Sequence, residues 1–425
     1  MNELSGATED AVQGQASLAP LLHSSMVGWE ELDGGYHSLL ELVRALLGVV
    51  PNCDRYLEIW PPAFRTYNVM VPNLLNLPVP VLGFGGPPPS VVGLAMYVAS
   101  RTADCPYCSA HSCSFALRRG ADPEKVAAAL LPDRNWFEPG ELAAIAVARS
   151  LASVPGELRA ADKAALIEAY GEKRAEWIAL SVVMMGFLNK FMDAVGVDVE
   201  QPLVSEVSDT LGDGWTPGKA GARLDPDSPR LPPPPIDGLR SRLRILPLLP
   251  AAIRYDRRAQ QGTPRRRSAV ARHLAVTTGH DFPVLANLRS SRARRAIATM
   301  LKENLDPEAS LIGIRTKVLA GAVYAAVVAD PHLMADIEAL AERAGLTGET
   351  LAAAAAFGRR EAPAPEAATA LQLARDASSS PAAIDTATVD ACAKDLTPEA
   401  IIEAVTWLSV LQLLHRLTRY VRPTG

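Results

Sequence analysis

The chain has 425 residues, of which 48% are hydrophobic, 21% charged and only 5% aromatic, and its formal net charge is −5. This length exceeds one ordinary hydrophobic core and suggests two domains or so. The composition is typical of a soluble globular protein, and the negative charge argues against general binding of nucleic acids. Abundant alanine favours closely packed helices, so we expect a mostly α-helical fold.

The first residues predict neither secretion nor membrane insertion. Residues 1–15 are polar and acidic and lack the positive and apolar regions of a secretory signal. The longest apolar run, WIALSVVMMGFL, has 12 residues, which is too short to span a bilayer. We therefore expect a cytoplasmic protein with no membrane partner. Residues 1–22 are predicted to form a flexible tail, and residues 23–223 the first domain.

The stretch SVVGLAMYVASRTAD (90–104) predicts a helix. Val92, Met96 and Ala99 fall on one side of it. No alternating strand pattern or hairpin signal follows. A helix, not a strand, should therefore precede the next segment, which carries the most reactive residues of the chain.

That segment is DCPYCSAHSCSFALRRG (104–120), which predicts a second helix. Asp104 is the candidate N-cap, Pro106 suits the first turn, and Gly120 ends the helix after Arg119. Steps of three residues rotate by about 60°, so three residues share one face of the helix. These are Cys105, Cys108 and His111.

The placement of the thiol pair at a helix start predicts redox chemistry. Side-chain carbons of such a pair lie roughly 5–6 Å apart in a helix, and a frayed terminus would let Cys105 approach the roughly 4 Å that a disulfide needs. The positive end of the helix dipole should also lower the pKa of a cysteine there. His111, one turn below Cys108, could transfer a proton.

Three other interpretations of the cysteines were weighed. A zinc site fits poorly, because Cys105 and Cys113 would be about 12 Å apart along a helix. A glutaredoxin-like fold needs a strand before its Cys-Pro-Tyr-Cys motif, and none is predicted. A purely structural pair of buried thiols stays open. Cys53, Cys113 and Cys392 are interpreted as packing residues, as are Met184 and Met185 within their apolar run.

The proline-rich segment LDPDSPRLPPPPIDG (224–238) predicts a linker. The second domain, 239–425, matches the first in several islands at an offset near 226, and Asp122 and Thr347 are corresponding candidate N-caps. The second copy lacks the motif, since the same offset places Pro331, Met334 and Ile337 where the first has its cysteines and histidine. We therefore expect one active copy per chain, with the second serving packing.

Residues 240–295 hold fourteen arginines against two acidic residues. Such a stretch could bind anions or nucleic acid. No interleaved aromatic residues and no nucleic-acid-binding motif accompany it, so we expect a solvated face or a subunit contact.

The Cys-x-x-Cys-x-x-His motif in an all-α tandem setting resembles the carboxymuconolactone decarboxylase and alkylhydroperoxidase D superfamily. The helix near 177–193, ending FLNKFMDAVGV, is similar to a later helix of that family. The resemblance covers about 40–200 and, in degenerate form, 239–422. It implies that Cys108 attacks peroxide, that Cys105 resolves it as a disulfide, and that His111 belongs to a proton relay. It also implies a homo-oligomer and no metal, haem or flavin cofactor.

Two departures from the family pattern matter. The histidine follows the second cysteine after two residues instead of three, and the usual glutamate upstream of the motif is replaced by Gly93, with no acidic residue from Ser90 to Ala103. Glu176 is a possible substitute, although an exposed surface position is expected for it. The sequence thus predicts a thiol-dependent reductase of a small peroxide, recycled by an unidentified thiol reductant, or a disulfide-exchange protein. The alternative is a non-redox decarboxylase-like or small-molecule-binding protein.

Overall fold

A computed structural model describes residues 16–80, 82–131, 135–212, 215–217 and 243–424. Within these ranges the chain is helical apart from turns and loops, and the extended backbone forms one isolated bridge, between Arg159 and Thr424. The predicted all-α class is confirmed. The linker predicted at 224–238 lies outside the described residues.

The helices of the first half surround the motif. In order they are α1 (Ala19–Leu22), α2 (Trp29–Leu47), α3 (Cys53–Leu57), α4 (Pro61–Leu74), α5 (Pro89–Thr102), α6 (Pro106–Arg118), α7 (Pro123–Ala128), α8 (Pro139–Ala152), α9 (Ala160–Val195) and α10 (Gln201–Leu211). The helices predicted at 90–104 and 177–193 are confirmed as α5 and as part of α9.

The helices described in the second half follow in chain order. They are α11 (Leu249–Ala259), α12 (Arg267–Thr278), α13 (Ser291–Asn304), α14 (Ile314–Val327), α15 (Pro331–Arg343), α16 (Gly348–Gly358), α17 (Ala368–Ser378), α18 (Thr386–Asp395) and α19 (Pro398–Val421). Short 3₁₀ helices lie at His23–Ser25 and Pro283–Asn287.

Polar caps start several of these helices as the sequence predicts. Asp122 accepts the backbone N–H of Glu124 at 2.9 Å, and Thr347 accepts that of Thr350 at 3.2 Å. Each cap satisfies an N–H group that has no partner within the helix. Both predicted N-caps are confirmed.

Helices α9 and α19 pack against each other at the centre of the molecule. Among the described residues these two are long and apolar enough to span a membrane, but 94% and 100% of their apolar windows are buried inside the protein. Such burial is what core helices of a globular fold require. Cytoplasmic localisation stays a prediction.

The helix starts in the two halves keep a constant spacing. α5 and α14 begin at residues 89 and 314, and α6 and α15 at 106 and 331, so both pairs are 225 residues apart. At this offset Cys105, Cys108 and His111 correspond to Asp330, Leu333 and Asp336, one residue earlier than the sequence comparison indicates. The second half again offers no thiol or imidazole at these positions. The tandem duplication remains a prediction.

The last residues of the predicted flexible tail are part of the packed core. Leu18 and Leu22 are fully buried, and the backbone N–H of Ala16 donates to the carbonyl of Ile384 at 2.9 Å. The packed structure therefore includes residues well before position 23.

Candidate functional site

The motif helix α6 is capped by one of its own cysteines. Cys105 occupies the N-cap position with extended backbone angles, and its sulfur accepts the backbone N–H of Cys108 at 3.3 Å. The predicted cap Asp104 lies one residue too early and adopts a left-handed conformation with φ of 52°. The prediction of Asp104 as the cap is therefore wrong, and the cap itself brings the Cys105 sulfur back over the first turn.

Both motif cysteines are free thiols in the protein interior. Cys105 is fully buried and Cys108 is 2% exposed. Burial raises the pKa of the Cys108 thiol well above its ordinary value, and the neighbouring Cys105 and Asp193 raise it further, whereas the side chain of Asn189 favours the thiolate. The expectation of a lowered pKa is wrong for Cys108, because desolvation by burial is the largest influence on its pKa.

The sequence-predicted His111 forms a hydrogen bond with a carboxylate that sequence reasoning missed. Its Nε2 lies 2.8 Å from Oε2 of Glu200, and the hydroxyl of Tyr107 donates to Oε1 of the same residue at 2.9 Å. The backbone N–H of Asn52 also donates to Glu200. One buried carboxylate thus connects Tyr107 and His111, which lie on successive turns of α6.

Burial alone would raise the pKa of Glu200, but the charge and hydrogen bond of His111 and the backbone donor of Asn52 hold it below its ordinary value. Glu200 is therefore ionised at neutral pH. It sits at the start of α10, just before Gln201 and Pro202, and its side chain turns toward α6 instead of capping its own helix. No local spacing relates residue 200 to residue 111, so only tertiary structure brings them together.

The position of the missing upstream glutamate cannot hold one. A Cβ atom on Gly93 would lie 2.5 Å from the Cα of Ala116, because α5 and α6 cross at this point. Glu176, the substitute that the sequence offered, is neither exposed nor in the site. It is 6% exposed and accepts the backbone N–H groups of Arg289 at 2.9 Å and Ser290 at 2.7 Å. Glu200 provides the carboxylate instead.

A small apolar cavity of about 80 Å³ brings the reactive groups together. Cys108, His111 and Tyr107 line it, while Cys105 is not part of its wall. The wall also contains Cys53, whose thiol interacts with the hydroxyls of Tyr67 and Tyr107 and whose pKa is raised by burial. Cys53 is therefore a cavity residue and not simply the packing residue that the sequence suggested.

The remaining packing assignments agree with burial. Cys113 and Cys392 are fully buried, and burial raises the pKa of each to about 12. Met184 and Met185 are buried on α9, where they complete the apolar side of the cavity. Among the described residues no group of three or more histidine, cysteine, aspartate or glutamate side chains is placed to hold a metal ion.

The second half contributes a residue beside the thiols, Arg416 of α19. Its guanidinium donates to the carbonyl of Val182 at 3.1 Å and to Oδ1 of Asn189 at 3.2 Å. Gly186 makes room for it, since a Cβ there would lie 3.0 Å from both Cδ of Arg416 and the carbonyl of Gln412. The second half therefore does more than pack against the first.

The charge of Arg416 acts on the thiol pair. Burial lowers the pKa of Arg416 to about 10, and its interactions with Tyr324, Cys108 and Cys105 act in the opposite direction. A pKa of about 10 keeps the guanidinium protonated at neutral pH. A buried cation next to the thiols favours their thiolate forms, which counteracts part of the desolvation.

No family model matches the chain, and no curated protein matches it. Two solved structures are similar to part of it, both of the debrominase Bmp8, one apo and one of a cysteine-to-alanine variant in complex with 2,3,4-tribromopyrrole. Their sequences are 21% and 20% identical to this chain, and the alignments cover 44% and 43% of it and 96% of theirs. The TM-score is 0.36 in both cases, which is too low to support a conclusion about fold or function.

Proposed function

We propose that the protein is an enzyme that reduces an organic hydroperoxide with Cys105 and Cys108, and that a thiol reductant restores the two thiols. The observation that carries the proposal is the hydrogen bond between His111 and Glu200 at the wall of the cavity that Cys108 lines. An imidazole paired with a buried carboxylate beside a thiol is the arrangement that general acid–base assistance of a nucleophile needs.

In the proposed first step His111 accepts the thiol proton of Cys108, directly or through a water molecule. The Cys108 thiolate attacks the terminal oxygen of the hydroperoxide, the O–O bond breaks, and the alkoxide takes the proton from His111 and leaves as the alcohol. Cys108 becomes a sulfenic acid. Glu200 stabilises the imidazolium during this step, while Asn189 and Arg416 stabilise the thiolate.

In the second step the sulfur of Cys105 attacks the sulfenic sulfur of Cys108, and hydroxide leaves with the Cys105 proton as water. The Cys105 sulfur lies 3.3 Å from the Cys108 backbone nitrogen, which favours this closure. The sum is one hydroperoxide and two thiols converted to an alcohol, water and a disulfide. A dithiol reductant then exchanges with the disulfide and is itself oxidised. The proposal includes a homo-oligomer and involves no metal, haem or flavin.

Counting thiols tests the proposal. Wild-type protein treated with stoichiometric tert-butyl hydroperoxide and then denatured should lose two of its five thiols. Cys108→Ser should lose none. Cys105→Ser should hold Cys108 as a sulfenic acid that dimedone traps.

Cys392→Ser is the matched control, because Cys392 is also fully buried but lies on α18, away from the cavity. This variant should still lose two thiols. If the wild-type protein keeps all five thiols in excess peroxide, the redox proposal is wrong.

The second candidate is a non-redox decarboxylase-like or small-molecule-binding protein. Complete burial of Cys105 and the raised pKa of the Cys108 thiol favour it, since both properties reduce nucleophilicity. The thiol count separates the two candidates, because a non-redox protein loses no thiol to peroxide.

A further inference from the structure

A second, larger cavity lies next to the thiol cavity. Its volume is about 440 Å³, which is in the range of sites for small organic ligands. The cavity lies among α2 and α4 of the first half and α11 and α13 of the second. One part of its wall is apolar and consists of Leu39, Leu42, Val43, Leu46, Ile245 and Leu249. This part suits a hydrocarbon chain or ring, because it offers such a ligand no polar group.

The two cavities share part of their walls. Leu47, Tyr67, Val71, Leu75 and Phe115 line both. A ligand that fills the larger cavity is therefore separated from Cys108 and His111 by no more than this layer of side chains.

Another part of the wall of the large cavity is cationic. Four arginines line it, Arg257, Arg265, Arg292 and Arg295, against one acidic residue, Asp256. The Nε of Arg292 donates to Oδ1 of Asn73 at 2.7 Å, and Arg295 donates to the carbonyls of Thr263 and Gln260 at 2.7 and 2.6 Å. Arg292 and Arg295 are thus held at the cavity wall by residues of the fold, which differs from the solvated face expected for this arginine-rich stretch.

Two polar groups of the same wall find no partner among the described residues. The side-chain oxygen of Gln260, a residue that is 2% exposed, and the hydroxyl of Tyr255 are buried and make no hydrogen bond within that part of the chain. Asp256 is already engaged, since it accepts hydrogen bonds from Asn73 at 2.6 Å and Gln260 at 2.7 Å. Unpaired buried polar groups carry a cost that a polar ligand removes, so they mark this wall as polar, although the Gln260 oxygen is an acceptor and takes a donor, not a carboxylate.

We infer that the larger cavity binds an organic carboxylate, with its apolar part along α2 and its carboxylate at Arg292. Arginine matches a carboxylate with two parallel N–H donors. Resting on the proposed function, the inference identifies the substrate as a hydroperoxide of a fatty-acid-like carboxylate, whose peroxide group reaches Cys108 when the side chains of the shared wall move aside.

Binding of an unreactive probe tests the cavity without any redox step. Decanoate should bind the wild-type protein in calorimetry at least about tenfold more tightly than decanol, which has the same chain without the charge. Equal affinity for decanoate and decanol, or no binding of decanoate, overturns the inference.

Variants place the ligand in the cavity. Arg292→Gln should weaken decanoate binding about tenfold and leave decanol binding unchanged. Because loss of Arg292 also disturbs Asn73, Ala252→Phe provides a second variant that fills the cavity from α11 and keeps every polar contact. Its control is Ala251→Phe, the neighbouring half-buried alanine that does not line the cavity. If Ala252→Phe binds decanoate as tightly as Ala251→Phe does, the ligand does not lie in this cavity.

The same experiments separate this inference from the proposed function. If decanoate binds as expected and peroxide oxidises no thiol, the site stands and the redox proposal fails. If tert-butyl hydroperoxide oxidises the thiols and decanoate does not bind, the redox proposal stands and this inference fails.

Discussion

Replacing Glu200 by glutamine tests its hydrogen-bonded pair with His111 most directly. Glutamine keeps the size of the side chain and an oxygen that accepts from Tyr107, but it removes the negative charge 2.8 Å from the His111 ring. Because the pair is almost fully buried, the charge is poorly screened by solvent. We expect the free energy of unfolding at pH 7 to fall by about 2 kcal/mol, the contribution of a hydrogen bond to a charged group.

The pH dependence of this loss has a definite sign. The pKa of Glu200 is lowered in the folded protein, so its stabilisation is present above the unfolded value near 4.3 and is lost as pH falls through the folded value. Urea unfolding at pH 7 should therefore separate the wild type from Glu200→Gln. The two should converge in strongly acidic buffer, where the carboxyl is protonated in both states.

The effect on reactivity should be larger than the effect on stability. Without the carboxylate the imidazolium of His111 loses its partner, and we expect oxidation of Cys108 by tert-butyl hydroperoxide to slow by about a hundredfold, the lower end of general acid–base assistance. Stopped-flow mixing followed by acid quenching and thiol counting measures this rate.

Glu176→Gln is the matched control, since Glu176 is also buried and accepts two backbone N–H groups but lies outside the cavity. It should lose stability without losing reactivity. An oxidation rate in Glu200→Gln within twofold of the wild type would refute the role given to the pair.

Three further predictions follow from other contacts. Arg416→Gln should raise the pKa of Cys108 further and slow its alkylation by iodoacetamide at pH 9 about tenfold, and an unchanged rate would remove Arg416 from the site. Gly93→Ala should lower the free energy of unfolding in urea by about 1–3 kcal/mol, because the added Cβ overpacks the helix crossing. Gly34→Ala on α2 has open space around its Cβ and should raise the same free energy by about 0.5–1 kcal/mol. Equal effects of the two substitutions would contradict the close helix crossing. Burial raises the pKa of Asp54 to about 8, so the wild type should lose stability as pH rises from about 4 to 8. Asp54→Asn should lack this loss. If the stability of the two proteins changes with pH in parallel, the raised pKa of Asp54 is refuted.

The local features of the site follow from sequence because they depend on neighbours along the chain. The helix at 90–104, the N-caps Asp122 and Thr347, and the shared face of Cys108 and His111 all rest on spacing and propensity within a few residues. The helix start near Cys105 could be predicted too, although the capping residue is Cys105 itself and not Asp104.

The features that decide reactivity could not be predicted in this way. Glu200 is 89 residues from His111, and Arg416 is 227 residues from Asn189, so neither contact leaves a periodic signal. The pKa of Cys108 depends on how much protein covers the thiol, which the helix dipole argument leaves out. The reason for a glycine at position 93 is steric, because α6 crosses α5 there. The sequence alone does not show this crossing.

The location of Arg416 on α19 makes the surroundings of the thiols depend on both halves of the chain. A shortened gene that encodes only the residues before 218 would keep both motif cysteines and Glu200, but its product would lack the cation that Asn189 contacts and would leave a large apolar side of α9 uncovered. The surroundings of the thiols therefore depend on a half of the chain that contains no Cys-x-x-Cys motif.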